Sequence, residues 1–236
     1  MNTSLQQLLK QLTALADKER AANLQRFFKT GPGQYAEGDR FIGLRVPQLR
    51  SLARQFAQLP QEDVETLLHS PIHEQRLLAL LILVQRFEQS GPRQQKSIYD
   101  VYLANTRFIN NWDLVDLSAP NILGNYLSAR DKRPLYRLAR SSSLWERRMA
   151  VLATFYFIKN RLFDDALAIA ELLLQDEHDL IHKAVGWMLR EIGKRDPKQE
   201  QAFLNQHYQQ MPRTMLRYAI EKFPEPLRQR YLKGKQ

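Results

Sequence analysis

Apolar residues recur at helical spacing along nearly the whole chain, and the strict alternation of a strand is almost absent. The pattern predicts about twelve helices, mostly of about 10–18 residues, joined by short breaks. The breaks are Gly31-Pro32-Gly33, Ser70-Pro71, Ser90-Gly91-Pro92, Asp131, Ser141 to Ser143, Asp196-Pro197, Pro212 and Pro224. Residues 30 to 45, rich in glycine and charge, are the one longer loop. The longest apolar run, Leu77 to Val84, falls far short of the ~18 residues of a membrane span and reads as a core helix segment. Met1 to Leu15 is polar and amphipathic, without the apolar centre of a signal peptide. No linker divides the chain, so residues 1–236 are expected to form a single domain.

A repeat lies beneath the helical pattern. HEQRLLALLIL from His73, WERRMAVLATF from Trp145 and LIHKAVGWMLR from Leu180 resemble one another. Aligned, they put Arg76, Arg148 and Lys183 at one position. Arg148 minus Arg76 is 72, twice 36, so a marker is expected at 112, where Trp112 opens WDLVDL. Lys183 follows Arg148 by 35 and Arg217 follows Lys183 by 34. A period of 34–36 with two helices per unit predicts an all-α, HEAT-like repeat α-solenoid of antiparallel helix pairs. Equivalent positions of such a repeat share one surface, typically concave and used for binding.

Composition narrows the chemistry. The chain has 236 residues, 44% hydrophobic and 25% charged, as in ordinary globular proteins. It has no cysteine, which excludes disulfides, thiolate catalysis and cysteine-ligated metal sites and fits a cytoplasmic protein. Its net charge is +10, which favours a polyanionic partner if the charge is localised.

The segment Leu180 to Lys194 localises it. On a helix, Ile181, Ala184, Val185, Met188, Leu189 and Ile192 share one face, while Lys183, Trp187, Arg190 and Lys194 form a stripe on the other. A tryptophan on a basic stripe suits stacking on a sugar, a base or a cation; the plainer reading packs it under a neighbouring element. Asp116 follows Trp112 by four residues, as Trp187 follows Lys183, so Asp116 and Trp187 occupy equivalent repeat positions. Leu114 and Leu117 fall opposite Trp112 and Asp116, which leaves that pair off the core side. Arg148 stands on an otherwise apolar helix, where it snorkels, holds an anion, or pairs with Asp116. One carboxylate among tryptophans and phosphate-seeking cations could stabilise positive charge at a sugar carbon, as in glycoside hydrolysis. The residues alone reach a DNA-binding solenoid with a candidate active-site carboxylate. The histidine pairs His69/His73 and His178/His182 have metal-compatible spacing, but no HExxH pattern occurs, and surface positions are expected for all five histidines, including His207. The basic tail from Arg228 to Lys235 reads as a frayed helix end or an added electrostatic contact.

FIGLRVPQLR from Phe41, NNWDLVDLSAPNILGNYL from Asn110, SSLWERRMAVL from Ser142 and IHKAVGWMLREIGK from Ile181 resemble the AlkD-type DNA alkylation repair proteins, over nearly the whole chain. The resemblance implies helical repeats curved around duplex DNA, with a basic concave face. It implies excision of cationic N3- and N7-alkylpurines without metal or cofactor and without flipping the lesion into a deep pocket. By resemblance Asp116 matches the catalytic carboxylate, and Trp112 and Trp187 match the aromatics against the damaged nucleotide. Arg148 matches a cleft-lining basic residue; Arg190 and Lys194 match backbone contacts; Arg45 and Arg50 match a region near the duplex; Lys183 is a candidate DNA contact by its place on the basic stripe. The implied partner is double-stranded DNA carrying alkylated purines, bound by a monomer in the cytoplasm or on the nucleoid, with no role at a membrane. Phe27 departs from a tyrosine found in some members, and the loop from Thr30 to Arg40 looks longer. The competing expectations are a non-catalytic paralogue that binds bent or branched DNA and a protein-interaction scaffold.

Overall fold

The computed structural model describes residues 3–234, and its described residues form helices and connecting turns without a β-strand. Lys235, the last residue of the expected basic tail, and Met1 lie outside the described residues. The chain divides into two compact units, one ending at Ser118 and the other beginning at Ala119.

The first unit holds α1 (Thr3–Ala14), α2 (Lys18–Phe27), α3 (Val46–Gln55), α4 (Gln61–Leu68), α5 (His73–Gln89), α6 (Pro92–Ala104) and α7 (Trp112–Ser118). In α1 the residues Leu5, Leu8 and Leu12 recur every three or four positions and are fully buried. Asp17 caps α2 by accepting the backbone N–H of Arg20 at 2.9 Å. Helices α3, α5 and α7 pack side by side in a row, and α4 and α6 pack against α5. α5 is buried nearly all round, as its long apolar run Leu77 to Leu83 dictates.

The long loop expected at 30–45 is present, and α5 holds it. The Glu74 carboxylate accepts the backbone N–H groups of Ile42 at 3.1 Å, Gly43 at 2.7 Å and Leu44 at 3.3 Å. The backbone of Arg40 bridges to Pro71 and His73. Gly43 has φ +87°, and a Cβ there would meet the carbonyl oxygen of Asp17 at 2.1 Å, so only glycine fits.

The second unit begins with a π-helical turn, Pro120–Gly124, followed by α8 (Asn125–Leu127), α9 (Arg133–Ala139), α10 (Leu144–Lys159), α11 (Asp164–Leu172), α12 (Asp179–Gly193), α13 (Pro197–His207), α14 (Arg213–Ala219) and α15 (Glu225–Leu232). The π turn, α10, α12 and α14 form a row, and α9, α11 and α13 pack against it as a second layer. The row repeats one packing device. A Cβ on Gly124 would meet the Ala153 oxygen at 2.2 Å and Tyr156 Cβ at 2.9 Å; one on Gly186 would meet the Met215 oxygen at 2.4 Å and Tyr218 Cβ at 2.6 Å. In both, the carbonyl lies 29 residues and the tyrosine 32 residues beyond the glycine.

The breaks fall where the punctuation predicts, but the helices are more numerous and several are shorter, with α7, α9 and α14 at seven residues each. The repeat is real, and its register differs by one residue from the alignment of Arg76 with Arg148 and Lys183. α5, α10 and α12 each begin with the same turn. Ser70 Oγ accepts from Ile72 N at 3.0 Å, Ser141 Oγ from Ser143 N at 3.0 Å, and Asp176 Oδ1 from His178 N at 2.9 Å. The carbonyls of these three residues are reached by Arg76, Arg147 and His182. The equivalent set is therefore Arg76, Arg147 and His182, 71 and 35 residues apart. The adjacent arginines of WERR drew the alignment onto the wrong one.

Candidate active site

A cleft of about 570 Å³ opens in the first unit, lined almost wholly by apolar surface. Its aromatic wall starts from the end of α2. Phe28 is buried, stacks on Phe41 at 4.9 Å and stacks on Trp112 at 5.1 Å with the rings 16° apart. Phe27 meets Trp112 edge-on at 6.1 Å and is 64% exposed, an unusual position for a phenylalanine. Leu24, Leu44, Val46 and Leu77 complete the apolar lining, and Arg20, Arg45 and Asp116 bring charge to it.

α7 brings Trp112 and Asp116 to this cleft together, one turn apart, both partly exposed. Leu114 and Val115 are fully buried beneath them. Leu117 is not opposite them as expected; it is partly exposed and lines the same cleft. Asp116 also acts inward. Burial pushes the phenol of Tyr102 well above its usual range, its hydrogen bond with Ser118 at 2.9 Å works against that, and the negative charge of Asp116 adds to it.

Beneath the aromatic wall lies a buried ionic network. His73 Nδ1 lies 3.1 Å from Asp39 Oδ2 and Nε2 lies 2.8 Å from Asp113 Oδ2. Arg76 pairs with the other oxygen of Asp39 at 2.5 Å, and Asn111 donates to Asp39 at 3.0 Å. Burial pushes the His73 pKa down, but hydrogen bonds with Asp113 and Asp39 outweigh it and hold the pKa up at about 9. Burial pushes the Asp39 carboxyl up, and its contacts with His73, Arg76 and Asn111 bring it below the usual value. His73 is thus buried, as is His207, rather than on the surface as expected. Both nitrogens of His73 are occupied by carboxylates within the fold, and no group of three or more potential metal ligands occurs among the described residues.

The other predicted residues of the first unit are at the surface. Arg45 precedes α3 and lines the cleft, and Arg50 is exposed on α3. The remaining five belong to the second unit. α12 has the predicted two faces: Ile181, Ala184, Val185, Met188, Leu189 and Ile192 are all buried. On the stripe, Lys183 pairs with Asp179 at 2.7 Å, Arg190 with Glu221, and Lys194 with Glu191 at 2.5 Å. Trp187 packs against Phe155 with ring centres 5.8 Å apart and donates its indole N–H to Glu191 at 3.2 Å. Arg148 is buried on α10 and donates to the Leu180 carbonyl at 2.6 Å, tying α10 to α12.

A family model described as "DNA alkylation repair enzyme" matches residues 8–223. The chain belongs to this family. Its fold is similar to three solved structures. One is a predicted DNA alkylation repair enzyme from Enterococcus faecalis, at 17% identity and TM-score 0.69, covering 89% of this chain and 97% of that one. Another is AlkD2 from Streptococcus mutans, at 16% identity and TM-score 0.56, covering 87% and 98%. The third is smu.31 from Streptococcus mutans UA159, at 18% identity and TM-score 0.52, covering 94% and 99%. No curated protein matches the chain significantly. The AlkD-type helical repeat fold is therefore established, and no helix is long and apolar enough to cross a membrane.

In this DNA alkylation repair protein, sequence reasoning located Trp112 and Asp116 but missed the Asp39–His73–Asp113 network below them. Asp39 stands in the loop, 34 residues before His73, and Asp113 follows His73 by 40. The one visible signal was Asp113 itself, a second carboxylate beside Trp112 in WDLVD.

Proposed function

We propose that this chain is a DNA glycosylase that excises N3- and N7-alkylated purines from duplex DNA. The observation that carries the reading is the placement of Asp116 with Trp112 on one apolar, aromatic cleft. An alkyl group on N3 or N7 makes the purine cationic and a good leaving group. As the bond between C1′ and the base breaks, the base departs neutral and positive charge builds on the sugar. A carboxylate on apolar surroundings stabilises that charge more strongly than water does. Asp116 also orients the water that adds to C1′, which loses a proton to leave an abasic site and the free base. Trp112 offers a π-face to the cationic lesion or the sugar, and Trp187 supplies a second one. Lys183, Arg190, Lys194, Arg45 and Arg50 hold phosphates and set the duplex in place without reading sequence, while Arg148, buried and bonded to the Leu180 carbonyl, braces α10 against α12 instead of meeting a phosphate. The exposed pair of Lys183 with Asp179 is weak enough to exchange for phosphate. The protein needs no cofactor for this reaction and acts as a monomer on DNA in the cytoplasm.

The test is single-turnover release of 7-methylguanine from a methylated duplex by wild type and Asp116→Asn. The variant should lose on the order of 100-fold or more in rate. Its affinity for undamaged duplex should stay within about twofold, because the phosphate contacts are untouched. Failure of wild type to release 7-methylguanine and 3-methyladenine, with duplex binding intact, would leave the non-catalytic DNA binder as the better account.

A further inference from the structure

His73 sits where three segments meet: the loop through Asp39, the start of α5, and α7 through Asp113. Each of its ring nitrogens faces a carboxylate oxygen, at 3.1 and 2.8 Å. A neutral imidazole has one donor and one acceptor, so one nitrogen would turn a lone pair on a carboxylate. Only the imidazolium donates to both. The local charges then balance, Asp39 and Asp113 against His73 and Arg76. The other groups nearby are accounted for: Glu74 holds the loop backbone, and Arg20, Arg45 and Asp116 lie out on the cleft. The ring of His73 also stacks on Phe41 at 4.5 Å and lies 5.2 Å from Phe28, which stacks on Trp112.

We infer that protonated His73 is a positioning residue, a charged strut that fixes the start of α7 and so sets Trp112 and Asp116 against the cleft. α7 has seven residues and little helical stability of its own. Its first turn is set from outside, by Asp113 on His73 and by Asn111, which accepts the Trp112 N–H at 2.8 Å and donates to Asp39. Losing the proton from His73 turns one of its two bonds into a repulsion. The strut releases α7 at its first residues, where Trp112 stands. The inference rests on the glycosylase reading only for its effect on rate; the placement of Trp112 is tested separately.

The first readout is fluorescence. With Trp145→Phe and Trp187→Phe, Trp112 is the sole tryptophan, and its emission should change in a single transition near pH 9. Adding His73→Gln should abolish that transition. Asp113→Asn keeps an acceptor but removes the charge, so the transition should move to lower pH. This variant serves if His73→Gln does not fold, as judged by circular dichroism. The second readout is the pH profile of single-turnover base release by the otherwise wild-type chain. The rate should fall above pH 9, and His73→Gln should be slower by about 10- to 100-fold at pH 7.5 without that fall. Its affinity for undamaged duplex should stay within about twofold. A Trp112 transition that is absent, or that persists unchanged in the His73→Gln and Asp113→Asn backgrounds, would overturn the inference. If wild type releases no base but Trp112 responds as described, the glycosylase reading falls and the strut stands.

Discussion

Each unit buries a titratable group whose pKa is strongly raised, and the two reach that state differently. His73 in the first unit is surrounded by a full set of partners, so burial leaves it charged, with its pKa at about 9. Glu200 in the second unit is 2% exposed, packs on Gly193, and leaves one carboxyl oxygen without a hydrogen bond among the described residues. Burial pushes its pKa up to about 8, and the nearby charge of Arg190 only partly counters that. The comparison teaches what a buried ion requires. A charge survives in the interior when partners of opposite charge face it, and otherwise the group takes up a proton. The first unit bears that requirement beneath its cleft, where a fixed charge can hold a short helix in place.

The comparison breaks most severely at Arg76. Arg76→Leu removes one of the two cations that balance Asp39 and Asp113, and should cost about 3–5 kcal/mol in urea unfolding. Arg147 is its repeat equivalent, but its pair with Asp176 is more exposed, with the arginine side chain at 19%. Arg147→Leu should cost less, about 1–3 kcal/mol, because Arg147 lies nearer to solvent although Asp176, which loses its cation, is buried. Equal losses at the two positions would mean that the buried network is no special demand of the first unit.

The pH dependence of stability sharpens the contrast. His73 is raised from 6.5 to about 9, so its stabilisation is complete below pH 6.5 and is lost as pH rises through 9. Glu200 is raised from 4.5 to about 8, so the stability tied to its proton is complete below pH 4.5 and is lost as pH rises through 8. The two slopes amount to roughly 3 kcal/mol for His73 and roughly 5 kcal/mol for Glu200. Melting temperatures between pH 5 and 10 should show the upper slope vanish in His73→Gln, which is less stable than wild type at pH 6. Glu200→Gln should lose the lower slope and melt above wild type at pH 8. A smaller effect, about 1–3 kcal/mol, is expected from Gly186→Ala, because its methyl would meet the Met215 carbonyl. Gly124→Ala should match it if the two packing devices are equivalent.

Much of this architecture is local and was therefore legible in the sequence. The two faces of α12 follow from spacing alone, and Asp196 caps α13 through Lys198 N at 3.0 Å where Asp-Pro predicts a start. Trp112 and Asp116 are one turn apart, so their shared face needed only a helix. What escaped was long-range. Nothing in a single sequence says that Asp39 reaches His73, that His73 reaches Asp113, or that Phe28 and Phe41 stack beneath Trp112. The repeat register slipped because Arg147 and Arg148 are chemically identical neighbours; only the turn hydrogen bonds separate them. Spacing and apolarity place Leu117 on the core side because apolarity alone cannot tell a core face from a cleft wall.

The most direct test of the central claim is the identity of the product. A duplex carrying one 7-methylguanine, incubated with the protein in single turnover and analysed by mass spectrometry, should yield free 7-methylguanine and a strand with an abasic site. Recovery of an intact strand carrying unmodified guanine, or of the 7-methylguanine strand unchanged, would contradict the account.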